Sequence, residues 1–313
     1  MPARARGRDR LRPRGSDRSL KNRALALVAL AQLAIGAAAI FARFALVTGG
    51  PLGVSWARLS IAAAIMLAIA VQRGALRLID RRSERNLVVA GMLLALHFAC
   101  WIGSLKFASV AISTLLVCTT PVWTEAYAVA RRRRIDGYAA LSIAGALAGV
   151  AIVVGAPDRA NTPLGIALAL GGAIAIAAYL VIVRGVDARY DTLAVTSRTY
   201  TYGAVSLGLT LWWTGATGAL PNDLRGWLGV LAMALVSQLF GHTALNAAVR
   251  VLSVTLVSTM TLLEPVIAGV LAAWIFGERL GPGTAIGAVV IVLAIGVALR
   301  GEARAGMSPP REA

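Results

Sequence analysis

Apolar residues in this chain run in blocks rather than in stripes. The blocks cover about residues 24–42, 53–72, 86–105, 108–130, 138–156, 163–183, 194–213, 226–248, 252–275 and 284–300. A helix crossing a ~30 Å hydrocarbon layer needs about 17–25 residues, so the pattern predicts ten membrane-crossing helices. Turn residues separate the blocks: Gly49-Gly50-Pro51, Asp136-Gly137, Pro157-Asp158, Pro221-Asn222-Asp223 and Gly281-Pro282-Gly283. No connection is long enough to fold as a domain of its own. The first block follows a basic start and contains Gly36-Ala37-Ala38-Ala39, which resembles a cleaved leader. Its apolar run continues past that point and nine more blocks follow, so it is read as a retained helix.

Composition supports the same class. Of 313 residues, 58% are hydrophobic and 14% charged, with a mean hydropathy of +0.75. A soluble domain carries about 25% charge. The apolar mass is Ala, Leu, Val, Ile and Gly, small residues that let helices approach closely in lipid. The expected fold is an all-α integral membrane protein.

The net charge of +17 raises the question of nucleic acid, and its distribution answers it. Nine of the 31 basic residues lie between Arg4 and Arg23, five in 73–85, four in 131–134 and three after Leu299. The alternate segments 156–162, 214–225 and 276–283 hold one each, Arg159, Arg225 and Arg279. This is the asymmetry of cytoplasmic flanks. It predicts both termini in the cytoplasm of a cell (plasma or inner) membrane, with residues 1–23 a basic disordered tail against anionic lipid and 301–313 a second tail. The expected partners are the bilayer and a small-molecule substrate, with no nucleic acid; a homodimer is compatible with the sequence. Cys100 and Cys118 both sit inside apolar blocks, without the spacing of a disulfide framework or metal site.

Rare residues repeat at a constant spacing. Arg43 and Arg184 are 141 apart, Arg58 and Arg198 140, Lys106 and Arg250 144, Pro121 and Pro265 144. Ser109-Val110 matches Ser253-Val254, and Pro121-Val122 matches Pro265-Val266. Two related halves follow, 24–156 and 157–300. Each holds five blocks, an odd number, so the second half is expected to enter the membrane inverted. Inverted repeats are characteristic of secondary transporters, which bind substrate near the midplane where the halves meet.

The stretch LLEPVIAGVLAAWIFGERLGPGTAIGAVVIVLAIGVAL, from Leu262 to Leu299, resembles the closing two helices of EamA-type members of the drug/metabolite transporter superfamily. The resemblance rests on Pro265, Gly277-Glu278, Gly287 and Gly296. The first half carries it more loosely through Pro121, Gly137, Gly145 and Gly149, and has Arg134 where the second half has Glu278. It implies ten helices in two repeats and a proton-linked or exchange carrier, often an exporter of amino acids or other metabolites.

A charge at mid-membrane costs about 2.5–3.5 kcal/mol, so each one needs a reason. Glu264 lies mid-block beside Pro265, which frees a backbone carbonyl. Ser258, Thr261 and Pro265 share a face with Glu264 on its border. An acid there binds a proton or a cationic group; the alternative is a simple ion pair with Arg58 or Arg198. His97 and His242, the two histidines, fall 145 apart, with Trp101 and Ser104 on the face of the first and Gln238 and Asn246 on that of the second. They are relay or substrate-donor candidates, or packing residues. Arg43, Arg58, Arg184 and Arg198 are best explained as interfacial anchors, with binding of an anionic group as the competing role for one or two. Glu125 reads as a helix-end partner of 131–134, and Lys106 and Arg250 as turn or gate residues. Trp101, Trp123, Tyr127, Tyr200 and Tyr202 are path-lining candidates; Trp212, Trp213 and Trp227 read as an interfacial belt. Pro121 and Pro265 are expected as hinges.

No phosphate loop, dinucleotide fingerprint or metal-ligand spacing occurs, so no cofactor, no metal and no catalytic group is expected. The expected function is secondary transport by alternating access, with proton-linked export first. Facilitative uptake or exchange is the alternative, and a non-transporting membrane protein the more distant one.

Overall fold

The computed structural model describes residues 14–76, 79–131, 136–154, 162–186, 188–216, 219–276 and 282–305. The basic residues 132–134, Pro157-Asp158, Arg159, Gly277-Glu278-Arg279 and Gly281 lie outside the described residues. So do 1–13 and the end of the C-terminal tail. Every regular element among the described residues is helical.

In chain order the helices are α1 (Arg14–Gly36), α2 (Ala38–Ala45), α3 (Pro51–Gln72), α4 (Arg81–Ser104), α5 (Val110–Val117), α6 (Thr120–Ala130) and α7 (Gly137–Val154). The second half holds α8 (Pro163–Arg184), α9 (Thr192–Thr214), α10 (Leu224–Ala232), a π-helical stretch (Met233–His242), α11 (Thr243–Val249), α12 (Val254–Met260), a 3₁₀ turn (Thr261–Leu263), α13 (Glu264–Phe276) and α14 (Pro282–Ala305). Among the described residues six continuous helical segments are long and apolar enough to cross a membrane.

Short polar residues start these helices where the sequence places turns. Asp80 accepts hydrogen bonds from the amides of Arg82 and Ser83, Asp191 from Leu193, and Asp223 from Gly226. Ser109 and Ser253, 144 residues apart, cap α5 and α12 in the same way. Each cap satisfies an amide that the first turn leaves without a partner.

The helices that contain Pro121 and Pro265 are both interrupted, for the expected reason. Proline cannot donate to the carbonyl four residues back. Ahead of Pro121 that carbonyl belongs to Val117, and the Thr120 hydroxyl bonds it at 2.9 Å. Ahead of Pro265 it belongs to Thr261, and the Glu264 amide takes it, tightening the chain into a 3₁₀ turn. In lipid no water is at hand to satisfy such groups, so these local donors allow the breaks.

Packing exchanges the two halves onto themselves. Helix α3 packs on α9, α7 on α14, α5 on α13, and α6 on α12. The pairing of α4 with α8 is mirrored by that of α1 and α2 with α10, the π stretch and α11. Some helix approaches are close enough to demand glycine: a Cβ on Gly149 would stand 2.8 Å from the Gly287 carbonyl oxygen, and one on Gly91 2.8 Å from that of Thr199. The outward surface is apolar: Leu33, Leu209, Val289 and Leu293 are all more than half exposed. Water is the wrong solvent for that surface, and a bilayer is the right one. Trp212 and Trp213 point outward at the end of α9, with exposures of 78% and 84%, as an interfacial pair does.

Candidate functional site

The breaks in the two proline-containing helices face each other across a small cavity. Its wall draws on both halves at matched positions: Ile35 with Ile176, His97 with His242, Val117 with Thr261, and Thr120 with Glu264. The spacings, 141, 145, 144 and 144, are those found among the rare residues of the sequence. Trp101, Cys118, Leu180 and Leu245 complete the lining. The free volume is about 30 Å³, room for one or two waters.

Glu264 sits at the start of α13, partly accessible, where the helix resumes after its break. Its Oε2 accepts a hydrogen bond from Cys118 Sγ at 3.6 Å, so the two breaks touch through these side chains. The simple ion pair with an interior arginine is not what forms: Arg58 donates to Gln238 and Arg198 pairs with Glu84.

His97 Nδ1 lies 2.9 Å from the Gly172 carbonyl oxygen. A carbonyl only accepts, so Nδ1 carries the proton, and Nε2 of the neutral ring is an acceptor. The His97 ring stacks on Trp101, with centroids 6.3 Å apart and planes at 8°, and meets His242 edge-on at the same distance. The two histidines that the repeat pairs in sequence are therefore neighbours in space.

The remaining candidates fall outside the cavity wall. Ser258 is buried between Thr124, whose hydroxyl is 3.3 Å away, and the Thr255 carbonyl. Asn246 accepts from the Tyr179 hydroxyl at 2.7 Å. Gln238 accepts from Arg58 Nη2 at 2.7 Å, and its backbone carbonyl accepts from the Tyr200 hydroxyl. Glu125 is buried and accepts from the Thr255 hydroxyl; of the residues 131–134 expected to hold it, only Arg131 is described, and it is exposed.

Arg58 corrects an expectation. Arg43 and Arg184 are exposed near helix ends, as anchors are, with Arg43 over the Phe276 ring and Arg184 bonded to the Val249 carbonyl. Arg58 is fully buried instead, its guanidinium 4.0 Å from the Phe98 ring centre and 6.0 Å from that of Trp101. Seven residues into its helix, it is far enough from the end to face the interior.

Two polar contacts at chain turns were not legible in the sequence. Thr48 donates to Asp223 at 2.8 Å, and Tyr190 donates to Asp80 at 2.8 Å. Thr48 and Tyr190 are 142 apart, and Asp80 and Asp223 143, so these are one contact made twice. Asp223 adjoins the start of α3 through Thr48; Asp80 follows its end after eight residues. The contacts thus lie towards opposite ends of a 22-residue helix, which spans about 33 Å. The Ser83 amide and hydroxyl, and then the Tyr190 hydroxyl, hold the Asp80 carboxyl below the usual carboxylate range.

A helical membrane protein with a partly polar cavity between two related halves is the class that fold and site define. Comparison with known proteins places it further. Residues 22–155 and 163–300 each match the EamA-like transporter family, and the chain belongs to that family. An uncharacterized transporter of Clostridium kluyveri is 27% identical over 189 residues, a match covering 58% of this chain and 60% of the relative. A solved crystal structure superposes with a TM-score of 0.74 at 19% identity, covering 90% of this chain and 98% of that one. At that identity the likeness is one of fold.

Proposed function

We propose that this chain is a secondary carrier that moves a small metabolite by alternating access, with proton-linked export as its mode. On this reading ten spans form two inverted five-helix repeats, 24–156 and 157–300, with both termini cytoplasmic. The observation that carries it is the cavity itself: matched residues of both repeats surround a carboxylate, beside two interrupted helices. Holding the half-buried Glu264 between the helices as a carboxylate is costly, and a proton or a cationic solute offsets that cost only while bound. Such an acid changes partner during a transport cycle.

At about 30 Å³ the cavity is far smaller than the ~300 Å³ or more of ordinary ligand pockets. Carriage therefore requires the halves to move, with the breaks at Pro121 and Pro265 as hinges. The Thr48–Asp223 and Tyr190–Asp80 contacts are suited to serve as latches at the two ends, one released while the other holds. His97 and His242 face the solute, and His97 Nε2 offers an acceptor. Energy comes from ion or solute gradients, since no nucleotide motif occurs in the sequence.

The test is growth of an expressing host on toxic amino acids, metabolite analogues and lipophilic cations, beside Glu264→Gln. Tolerance to one chemical class, lost in the variant at equal membrane abundance, supports export and names the class. Undiminished tolerance in the variant removes Glu264 from the mechanism. Tolerance to nothing, with uptake into reconstituted vesicles, favours the facilitative alternative.

A further inference from the structure

We infer that Arg58 receives a carboxylate of the transported solute, and that the substrate is a small carboxylate with an apolar body. The inference rests on the transport reading and adds the chemistry of what is carried.

Arg58 and Arg198 occupy matched positions in the two repeats, yet their surroundings differ. Arg198 Nε lies 3.3 Å from Glu84 Oε2, and the Tyr202 hydroxyl donates to the same carboxylate. Counting from the matched caps Asp80 and Asp223, the place of Glu84 is taken in the second repeat by Trp227. No acid occurs from Leu224 to Asn246, nor in α3 or α9; α4, which meets Arg58 through Phe98, holds one acid, Glu84, and that one is paired with Arg198. Arg58 has lost the counter-charge that its repeat mate keeps.

What surrounds Arg58 leaves its donors open. Nη2 is bonded to Gln238, while Nε and Nη1 have no hydrogen-bond partner among the described residues. An unpaired guanidinium inside a membrane protein is expensive to keep, so its retention marks a functional partner. A planar carboxylate matches guanidinium geometry. The adjoining cavity wall has unpartnered polar atoms too. Trp101 Nε1 and His242 Nδ1 have no hydrogen-bond partner among the described residues, and both side chains are more than nine-tenths buried. Trp101 supplies a donor that can bond nothing but an acceptor. Phe98, Trp101 and His242 stand between Arg58 and the cavity. A modest shift of these rings as the halves rock joins the guanidinium to the solute space. Ile35, Val117, Ile176, Leu180 and Leu245 give that space an apolar side, which suits an apolar body, while Thr120, Thr261 and Glu264 form a polar side.

The test uses the purified full-length chain and two isosteric probe pairs, isovalerate against isovaleramide and leucine against leucinamide. Thermal unfolding is followed with each probe in the wild type, Arg58→Met, Arg58→Lys and Arg198→Gln. A carboxylate probe is expected to raise the midpoint of the wild type while its amide does not. That preference disappears in Arg58→Met, weakens in Arg58→Lys and survives in Arg198→Gln. Without any probe, Arg58→Met melts no lower than the wild type, because the residue it removes is an uncompensated charge. A purely structural arginine would lower the midpoint instead. Equal response to carboxylate and amide, no response of the wild type to either carboxylate, or a preference that survives Arg58→Met overturns the inference. Host tolerance to uncharged or cationic compounds that depends on Glu264 would leave the transport reading standing in each of those cases. Absence of carriage of any solute by the wild type fails both.

Discussion

The two repeats agree in their scaffold and disagree in their chemistry. Ser109 and Ser253 cap equivalent helices, the hydroxyl–aspartate contact is made once by each half, and His97 and His242 meet at the centre. The same correspondence sets Thr120 against Glu264, and the paired Arg198 against the buried Arg58. Positions that hold the frame have stayed alike, because both halves need the same helix starts and breaks. The charges at and beside the centre have diverged, because a single solute needs one set of charges and not two.

The largest effect that would sharpen this comparison is functional. Glu264→Gln is expected to lower transport about tenfold or more, the weight of one charge-assisted hydrogen bond. Thr120→Val at the matched place should leave transport within about fivefold, since a neutral hydroxyl bond is worth about 1 kcal/mol. Initial rates in vesicles check both. Equal losses would mean that the two sides are not chemically distinct.

The latches come next. Thr48→Val and Tyr190→Phe each remove one side of a matched contact, and are expected to shift the protein in opposite directions. With the termini cytoplasmic as proposed, the first should raise reactivity of Cys118 from the outer side and the second from the cytoplasmic side, as read by impermeant thiol reagents. A shift in the same direction would break the pairing of the two ends. The Asp80 contact also has a pH signature. Its folded carboxyl is held below the ordinary value by Ser83 and Tyr190, so its contribution is complete above about pH 4. It fades only as pH falls towards the lower folded value. Cytoplasmic-side reactivity that depends on Tyr190 should therefore stay flat from about pH 5 to 8.

Smaller effects test the scaffold. Ser109→Ala and Ser253→Ala each remove a cap worth about 1 kcal/mol, and equal losses in chemical unfolding are expected from equal geometry. Arg198→Gln is the mildest, at under about 1 kcal/mol, because its pair with Glu84 is partly solvated.

Much of the fold was legible. Membrane-length apolar blocks, turn residues and two interior prolines are strong local signals, and the described helices begin and end within about five residues of the expected bounds, except that α1 is already helical from Arg14, where a disordered tail to residue 23 was expected. The site was legible in part. His97, His242, Trp101, Thr261 and Glu264 stood out as polar or aromatic residues in apolar surroundings, and the cavity gathers all five. Ser258, Gln238 and Asn246 shared the predicted faces, but hydrogen-bond neighbours behind the wall. Ile35, Ile176 and Thr120 gave no signal alone, being ordinary residues for a membrane helix; extending the repeat spacing to them would have found them.

Arg58 looked like an anchor because sequence gives its distance from a helix end and not the direction it faces. The widened helix from Met233 to His242 carries no proline or charge to announce it. It is tied to α1 by the Ser237 hydroxyl on the Ala34 carbonyl at 2.7 Å, a tertiary contact that helical periodicity does not report.

The central claim is that the cavity between the halves opens to each side of the membrane in turn. Cys118, which lines it and touches Glu264, is a native probe. With Cys100 replaced by Ala, its modification by a membrane-impermeant methanethiosulfonate is measured in right-side-out and inside-out vesicles. The account predicts reaction from both sides, in vesicles that hold their ion gradients throughout. A thiol reached from one side alone under every gradient, or from neither, would contradict it.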